Sequence, residues 1–345
     1  MRSDCIIPKD YQSLLDAEET EEAIKLIKDF FQKNLAKSLN LIRVTAPLFV
    51  KKGTGINDDL SGREQPVSFT VKHMNDTQAE IVQSLAKWKR LALSDLKIPV
   101  GKGLYADMNA IRPDEKLDNL HSLYVDQWDW EKVISAEQRN LRFLKNVVRQ
   151  IYTVMKKTEH FIYAHYPSIK PFLPDEIHFI HAEELLDQFP DLSPPERENV
   201  ICKEKKAVFV IGIGAPLKNG EPHDQRAPDY DDWITPTQGG KGLNGDILIH
   251  YPVLDKAFEI SSMGIRVDSP TLEKQLDITQ STEKKDLYFH KKLFEDKLPL
   301  SVGGGIGQSR LCMFFLRKAH IGEIQSSLWD EEVKRLCREN NIFLL

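Results

Sequence analysis

Three runs rich in β-branched and apolar residues, at 207–213, 246–253 and 257–267, follow one another with no helical repeat between them. Parallel neighbours need a crossover, usually a helix, so strands joined without one are expected to pair antiparallel. Further strand-like segments lie at 67–71, 80–83, 121–128 and 177–180. Set among strong helical patterns, they predict an α+β fold, a mainly antiparallel sheet flanked by helices, and disfavour a doubly wound parallel sheet.

The helical patterns are distinct. Ile24, Ile27, Phe31, Leu35 and Leu39 keep three- and four-residue steps, predicting a helix over 18–40 that Asp16 and Glu19 open as a capping box. Leu141, Leu144, Val148, Ile151 and Met155 predict a long helix within 136–166, and a shorter one is expected over 85–96. Residues 41–50 read as a strand whose Pro47 suits only an edge or an interface, a hint of a homodimer. The Pro-, Gly- and Asp-rich stretch 214–245 reads as a functional loop. No linker breaks the chain, so a single domain over 1–345 is expected, with a short N-terminal extension of about 1–17.

Composition narrows the function. The 345 residues carry a net charge of -5 and no basic stripe, which disfavours a nucleic-acid partner. Cys5, Cys202, Cys312 and Cys337 are widely separated, signalling no structural metal and suiting a reducing compartment. The N-terminus lacks a secretory apolar region and no long apolar stretch occurs, so a cytoplasmic protein without membrane contact is expected.

Chemistry concentrates in a few places. Gly303-Gly304-Gly305-Ile306-Gly307-Gln308-Ser309-Arg310 runs into the apolar segment 311–316. It predicts a glycine loop leading into a helix whose first turn carries Arg310, with free N–H groups aimed at a phosphate. A P-loop is excluded because no Lys-Ser or Lys-Thr follows, and Gln308 breaks a dinucleotide fingerprint. A glycine turn that merely packs helix on strand is the bland alternative. Arg112 precedes Pro113, which holds it extended at a strand end where it suits a phosphate, unless it only pairs with Asp114 or Glu115. The acidic cluster Asp229-Tyr230-Asp231-Asp232-Trp233 suits an ammonium or Mg²⁺, or is a solvated turn. Alternation in 258–263 predicts that Glu259 and Ser261 share a strand face. Lys89 alone would be read as a solvated helix position.

In order along the chain, 41–47 after a long helix, the Arg112 turn and the 303–310 segment resemble the three motifs of class II aminoacyl-tRNA synthetase catalytic domains. Five longer strings are more specific. Asp58-Asp59-Leu60-Ser61-Gly62, Gln83-Ser84-Leu85-Ala86-Lys87-Trp88-Lys89-Arg90 and His121 through Trp130 are three of them. Arg226-Ala227-Pro228-Asp229-Tyr230-Asp231-Asp232-Trp233 and Ser261-Ser262-Met263-Gly264-Ile265-Arg266 complete the set. With them the chain resembles, over about 20–330, the ammonia-dependent asparagine synthetase (aspartate ammonia ligase) family.

That resemblance implies amidation of L-aspartate with ammonia and ATP through a β-aspartyl-adenylate, releasing AMP and pyrophosphate. It implies Asp58, Arg112, Gln127 and Arg310 as catalytic residues, and Ser84, Lys89, Gln127, Asp129, Asp231, Ser262 and Arg266 as the aspartate site. Arg112, Arg226, Glu259, Gly305, Gly307 and Arg310 would hold ATP, and Asp246 and Glu259 would hold Mg²⁺. Charge assigns Lys89 and Arg266 to the substrate carboxylates and Asp231 or Asp129 to its ammonium. Which of Asp58 and Asp59 acts on ammonia is open, because Asp59 stands where the commoner string has Asn. A transfer-RNA synthetase would add an anticodon-binding domain and a basic face, and a silent relative would have lost the charged residues; neither is expected here.

Overall fold

The computed structural model describes residues 5–60 and 64–345. Helix α1 (Ala17–Leu39) opens on the expected capping box: Asp16 accepts the Glu19 amide at 2.9 Å and Glu19 accepts the Asp16 amide at 3.1 Å. It ends where Asn40 turns left-handed. The single strand expected over 41–50 is instead two, β1 (Leu41–Arg43) and β2 (Phe49–Lys51), in different sheets. Pro47 lies between them, where its missing N–H breaks no ladder. β3 (Ser68–Val71) and β4 (Thr77–Ile81) join β2 in a small antiparallel sheet. Ser61 and Gly62 of the first family string lie outside the described residues.

Next come α2 (Ala86–Asp95), β5 (Gly103–Ile111), β6 (Tyr124–Val133) and α3 (Leu141–His165). They are followed by β7 (His178–His181), α4 (Ala182–Gln188), α5 (Pro194–Lys205) and β8 (Ala207–Ile211). The long loop is interrupted by the short pair β9 (Pro236–Thr237) and β10 (Gly240–Lys241). β11 (Asn244–Tyr251), β12 (Lys256–Ile265), α6 (Ser269–Ile278) and α7 (Tyr288–Phe294) precede β13 (Ser301–Gly307), α8 (Gln308–Leu316) and α9 (Glu331–Glu339).

Among the described residues, eight strands form one sheet in the order β1-β5-β6-β13-β12-β11-β8-β7. The six central strands pair antiparallel; only β1 with β5 and β7 with β8 run parallel, at the two edges. One face of the sheet packs the apolar sides of α1, α3 and α8, so that Phe31 lies 4.9 Å from the Trp128 ring within the largest buried cluster. Among the described residues no helix is long and apolar enough to cross a membrane.

Candidate active site

The period-two geometry of β6 separates core from chemistry. Trp128 and Trp130 enter the apolar cluster beneath the sheet, which sends Gln127, Asp129 and Glu131 to the opposite face. Across the ladder, Gly307, Gly305 and Gly303 lie opposite those three polar residues in turn. The glycine segment is therefore a central strand, which corrects the expectation of a loop. A Cβ at Gly303 would overlap the Glu131 carboxylate, and one at Gly305 would overlap the Gln127 amide. The glycines clear room for long side chains from the neighbouring strand.

The two positions predict different outcomes. Gly305→Ala pushes aside only the far end of Gln127, so stability should stay within about 1 kcal/mol of wild type. Gly303→Ala meets a carboxylate fixed by Arg266 and Ser301 and should destabilise by about 1–3 kcal/mol. Urea titration of both variants checks the contrast; equal stability losses would contradict it.

Helix α8 begins after the last glycine, and Arg310 lies in its first turn as expected. Its amides are not all free for a ligand, because Ser309 N–H donates to Asp126 at 3.0 Å. Arg310 Nη1 instead donates to the Glu259 carbonyl at 3.2 Å and lies 3.4 Å from its carboxylate. Glu259 sits beside an irregularity: Ile247 pairs Ser261 and Leu248 pairs Glu259, leaving Ile260 as an extra residue in β12. The bulge changes the phase of the alternation. Glu259 and Ser262 both line the cleft, whereas Ser261 is buried and donates to the Gly305 carbonyl at 2.9 Å, correcting the expected pairing of Glu259 with Ser261.

That cleft holds about 410 Å³ and is walled by Arg112, Arg226 and Arg310, with Gln127, Glu259, Ser262, Gly305 and Gly307 around them. Arg112 follows β5; its Nη2 donates to the Gln83 carbonyl at 3.1 Å, Glu115 is 3.9 Å away, and its buried Nε has no protein partner. Arg226 reaches in from the long loop, held by Asp224 at 2.7 Å and by a short contact to Asp246.

The remaining expected residues do not line the cleft. Asp58, Lys89, Asp129, Asp231, Asp246 and Arg266 are buried, and Ser84 is half-buried, accepting the Ala86 amide at 3.1 Å. Lys89 is no solvated helix position. Its ammonium is closely paired with Asp129 and donates to the Gly304 carbonyl at 3.0 Å. Neither it nor Arg266 is an unpaired cation awaiting a substrate: Arg266 donates to Glu131 through Nε and, at 2.8 Å, through Nη2, and to Asp231 through Nη1. Asp58 and Asp59 diverge. Asp58 is buried and accepts the Leu60 amide at 3.0 Å; Asp59 faces out to Lys284 at 2.7 Å.

Several residues of this layer escaped sequence reasoning. Lys87 and His290, both buried, meet Asp229 at 2.9 and 3.0 Å, so the acidic cluster is an interior anchor and no solvated turn. Burial alone would raise the Asp229 carboxyl, but Lys87 and His290 hold it well below the usual range. Glu131, wholly buried, is likewise held low by Arg266 against its burial. A charge inside an apolar strand run was the available signal for Glu131; His290, on a short helix, carried none.

Buried polar atoms without a protein partner gather here: Arg112 Nε, Asp129 Oδ2, Asp229 Oδ1, Asp246 Oδ1 and the side-chain amide of Gln83. Folded proteins satisfy nearly all such atoms, so a concentration of them marks a place completed by a ligand. Burial also pushes the Asp246 carboxyl up to about 7, although Arg226 beside it pulls the other way. An unfolded aspartate titrates near about 4. Between those values the folded chain keeps a proton the unfolded chain has lost, so this group's contribution to stability falls as pH rises through about 7. Asp246→Asn cannot titrate. Its melting temperature relative to wild type should climb between about pH 4 and 7 and level off above; a constant difference would rule the titration out.

The architecture is that of class II aminoacyl-tRNA synthetase catalytic domains. The asparaginyl-tRNA synthetase of Pyrococcus horikoshii, complexed with asparaginyl-adenylate, matches with a TM-score of 0.66 at 17% identity, over 90% of this chain and 70% of its own. An aspartyl-tRNA synthetase from Entamoeba histolytica gives 0.63 at 13% identity, over 91% and 59%. These are likenesses of fold. The sequence is more specific: the family profile described as aspartate-ammonia ligase matches residues 18–341. An aspartate–ammonia ligase of Clostridium perfringens is 60% identical over 339 residues, 98% of each chain. Another, from Parabacteroides distasonis, is 59% identical over 341 residues, 99% of each. The chain belongs to the aspartate-ammonia ligase family.

Proposed function

We propose that this chain converts L-aspartate, ATP and ammonia to L-asparagine, AMP and pyrophosphate through a β-aspartyl-adenylate. The observation that carries the reading is the pairing of an arginine-walled cleft with a buried layer of incompletely partnered carboxylates beside it. The cleft suits a nucleotide triphosphate, and the layer suits a small zwitterion carrying two carboxylates and an ammonium.

In the first step an oxygen of the aspartate side-chain carboxylate bonds to the ATP α-phosphorus as the bond to pyrophosphate breaks. Arg112 holds the α-phosphate, Arg310 and Arg226 hold the outer phosphates and adenosine, and the work is positioning and charge stabilisation. Aspartate is recognised by exchange of partners. Its carboxylates take over part of Lys89 and Arg266, its ammonium meets Asp129 Oδ2 and Asp231, and Ser84, Gln127 and Ser262 complete the fit. In the second step ammonia attacks the activated carbonyl and AMP departs. Ammonium must first lose a proton, and Asp58, whose carboxyl is raised by burial despite Lys87, is the acceptor.

Mg²⁺ fits the oxygen donors present. Asp246 Oδ1 is buried without a partner, Glu259 is beside it, and a hard cation prefers such carboxylate oxygens. Bound there, it would neutralise charge on the phosphates. A homodimer is supported by exposed Ile42 on β1 and by exposed Leu48, Phe49 and Phe69 at the small sheet. The function is tested by incubating the protein with aspartate, ATP and ammonium and measuring asparagine and AMP with no transfer RNA present. Asparagine formed in step with AMP is expected; ADP in place of AMP, or a requirement for transfer RNA, would overturn the reading.

A further inference from the structure

Cys5 and Cys337 stand 332 positions apart in sequence, yet their sulfurs and one ring nitrogen of His320 all lie within 4.8 Å of one another. Cysteines widely separated in sequence are thus brought together by the fold. Cys5 is half-buried and Cys337 fully buried, within a small apolar cluster that also gathers Ile7, Tyr11, Ala319 and Ile342. Cys202 and Cys312 are also buried, outside this cluster, and both thiols are pushed up by their burial, Cys312 to about 12.

Two soft-ligand chemistries compete for such a trio, a thiophilic cation and a disulfide. His320 decides between them. Its Nδ1 accepts the Gly322 amide at 3.0 Å, so the neutral ring carries its proton on Nε2 and has no second lone pair to give a cation. A ring in that state donates to a thiolate instead. We propose that Cys5 and Cys337 form a redox-active pair in which half-buried Cys5 is the attacking thiol, buried Cys337 the resolving one, and a low-molecular-weight disulfide the oxidant.

The exchange balances in two displacements. The Cys5 thiolate bonds to one sulfur of the small disulfide and expels the other half as a thiolate. Cys337, losing its proton to that thiolate, then bonds to Cys5 sulfur and expels the second half. The asymmetry of the pair favours this order. The hydrogen bond from Cys337, against burial and with help from His320, draws Cys5 down to about 5, whereas Cys337 is driven up.

Closing the bond would fasten the N-terminal segment to α9. Ile6 already exchanges two hydrogen bonds with Asn119, at 2.6 and 2.8 Å, and Asn119 accepts from Ile321, which itself lines the nucleotide cleft.

The test is to treat the reduced full-length protein with oxidised glutathione and follow intact mass and thiol-alkylated peptides. Wild type should lose two hydrogens and yield a cross-linked Cys5–Cys337 peptide, with Cys202 and Cys312 still alkylated after unfolding. Its melting temperature should rise, as expected for closing a long loop. Cys337→Ser should stop at one glutathione on Cys5, Cys5→Ser should take up none, and His320→Asn should slow the first displacement by about tenfold or more. A stable glutathione adduct on wild type, an unreactive pair, or thiols protected by a stoichiometric metal ion released with a chelator would each overturn the proposal.

Discussion

Arg112→Ala is expected to lower the rate of asparagine formation by at least about two orders of magnitude, the usual loss for one preorganised charge donor to a transition state. The side chain is built for a ligand more than for the fold. Its Nη2 meets only a backbone carbonyl, its Nε is buried without a partner, and Glu115 at 3.9 Å is a loose companion. Truncation should therefore cost little stability, about 1 kcal/mol or less, and kcat should fall more than affinity for ATP if the guanidinium acts on charge that builds up during transfer. Turnover within tenfold of wild type, with the melting temperature unchanged, would remove Arg112 from the chemistry.

Glu131→Ala should act on the fold first. Glu131 accepts from Arg266 at 3.0 Å and 2.8 Å and from Ser301 at 2.7 Å, and all three groups are buried. Removing it leaves Arg266 with Asp231 alone, an incompletely compensated charge inside the sheet. The expected loss is about 3–5 kcal/mol, a large share of the roughly 5–15 kcal/mol that holds a typical domain together. The urea midpoint should fall sharply at unchanged slope. A loss below about 1 kcal/mol would mean that water reaches Arg266 and that the layer is less dry than its burial indicates.

The parts of the molecule that follow from local physics were legible. The α1 capping box, the spacing of α1 and α3 and the succession of β8, β11 and β12 gave an antiparallel α+β sheet without recourse to tertiary contacts. Helices α4, α5, α6, α7 and α9 went unread, although Ser193, Pro194 and Glu196 carry a start signal for α5. What failed was what only a neighbouring strand can dictate. Gly303 to Gly307 read as a loop because glycine weakens a strand in isolation; it holds one here because Gln127 and Glu131 occupy the space its side chains would fill.

The site divided the same way. Arg112, Arg226, Glu259 and Arg310, which the family resemblance grouped, line one cleft. The single bulge at Ile260, invisible in alternating sequence, moved the cleft-facing hydroxyl from Ser261 to Ser262. Lys87, His290 and Glu131 emerged only as partners of Asp229 and Arg266, since a buried ion pair advertises neither member alone.

Adenylation is the step from which the rest follows, and isotope exchange between pyrophosphate and ATP reads it directly. With ammonia withheld and no transfer RNA present, label should pass from pyrophosphate into ATP only when L-aspartate is added, and Arg112→Ala should abolish most of that exchange. Asparagine formation without any aspartate-dependent exchange, or release of phosphate in place of pyrophosphate, would contradict an aspartyl-adenylate in this cleft.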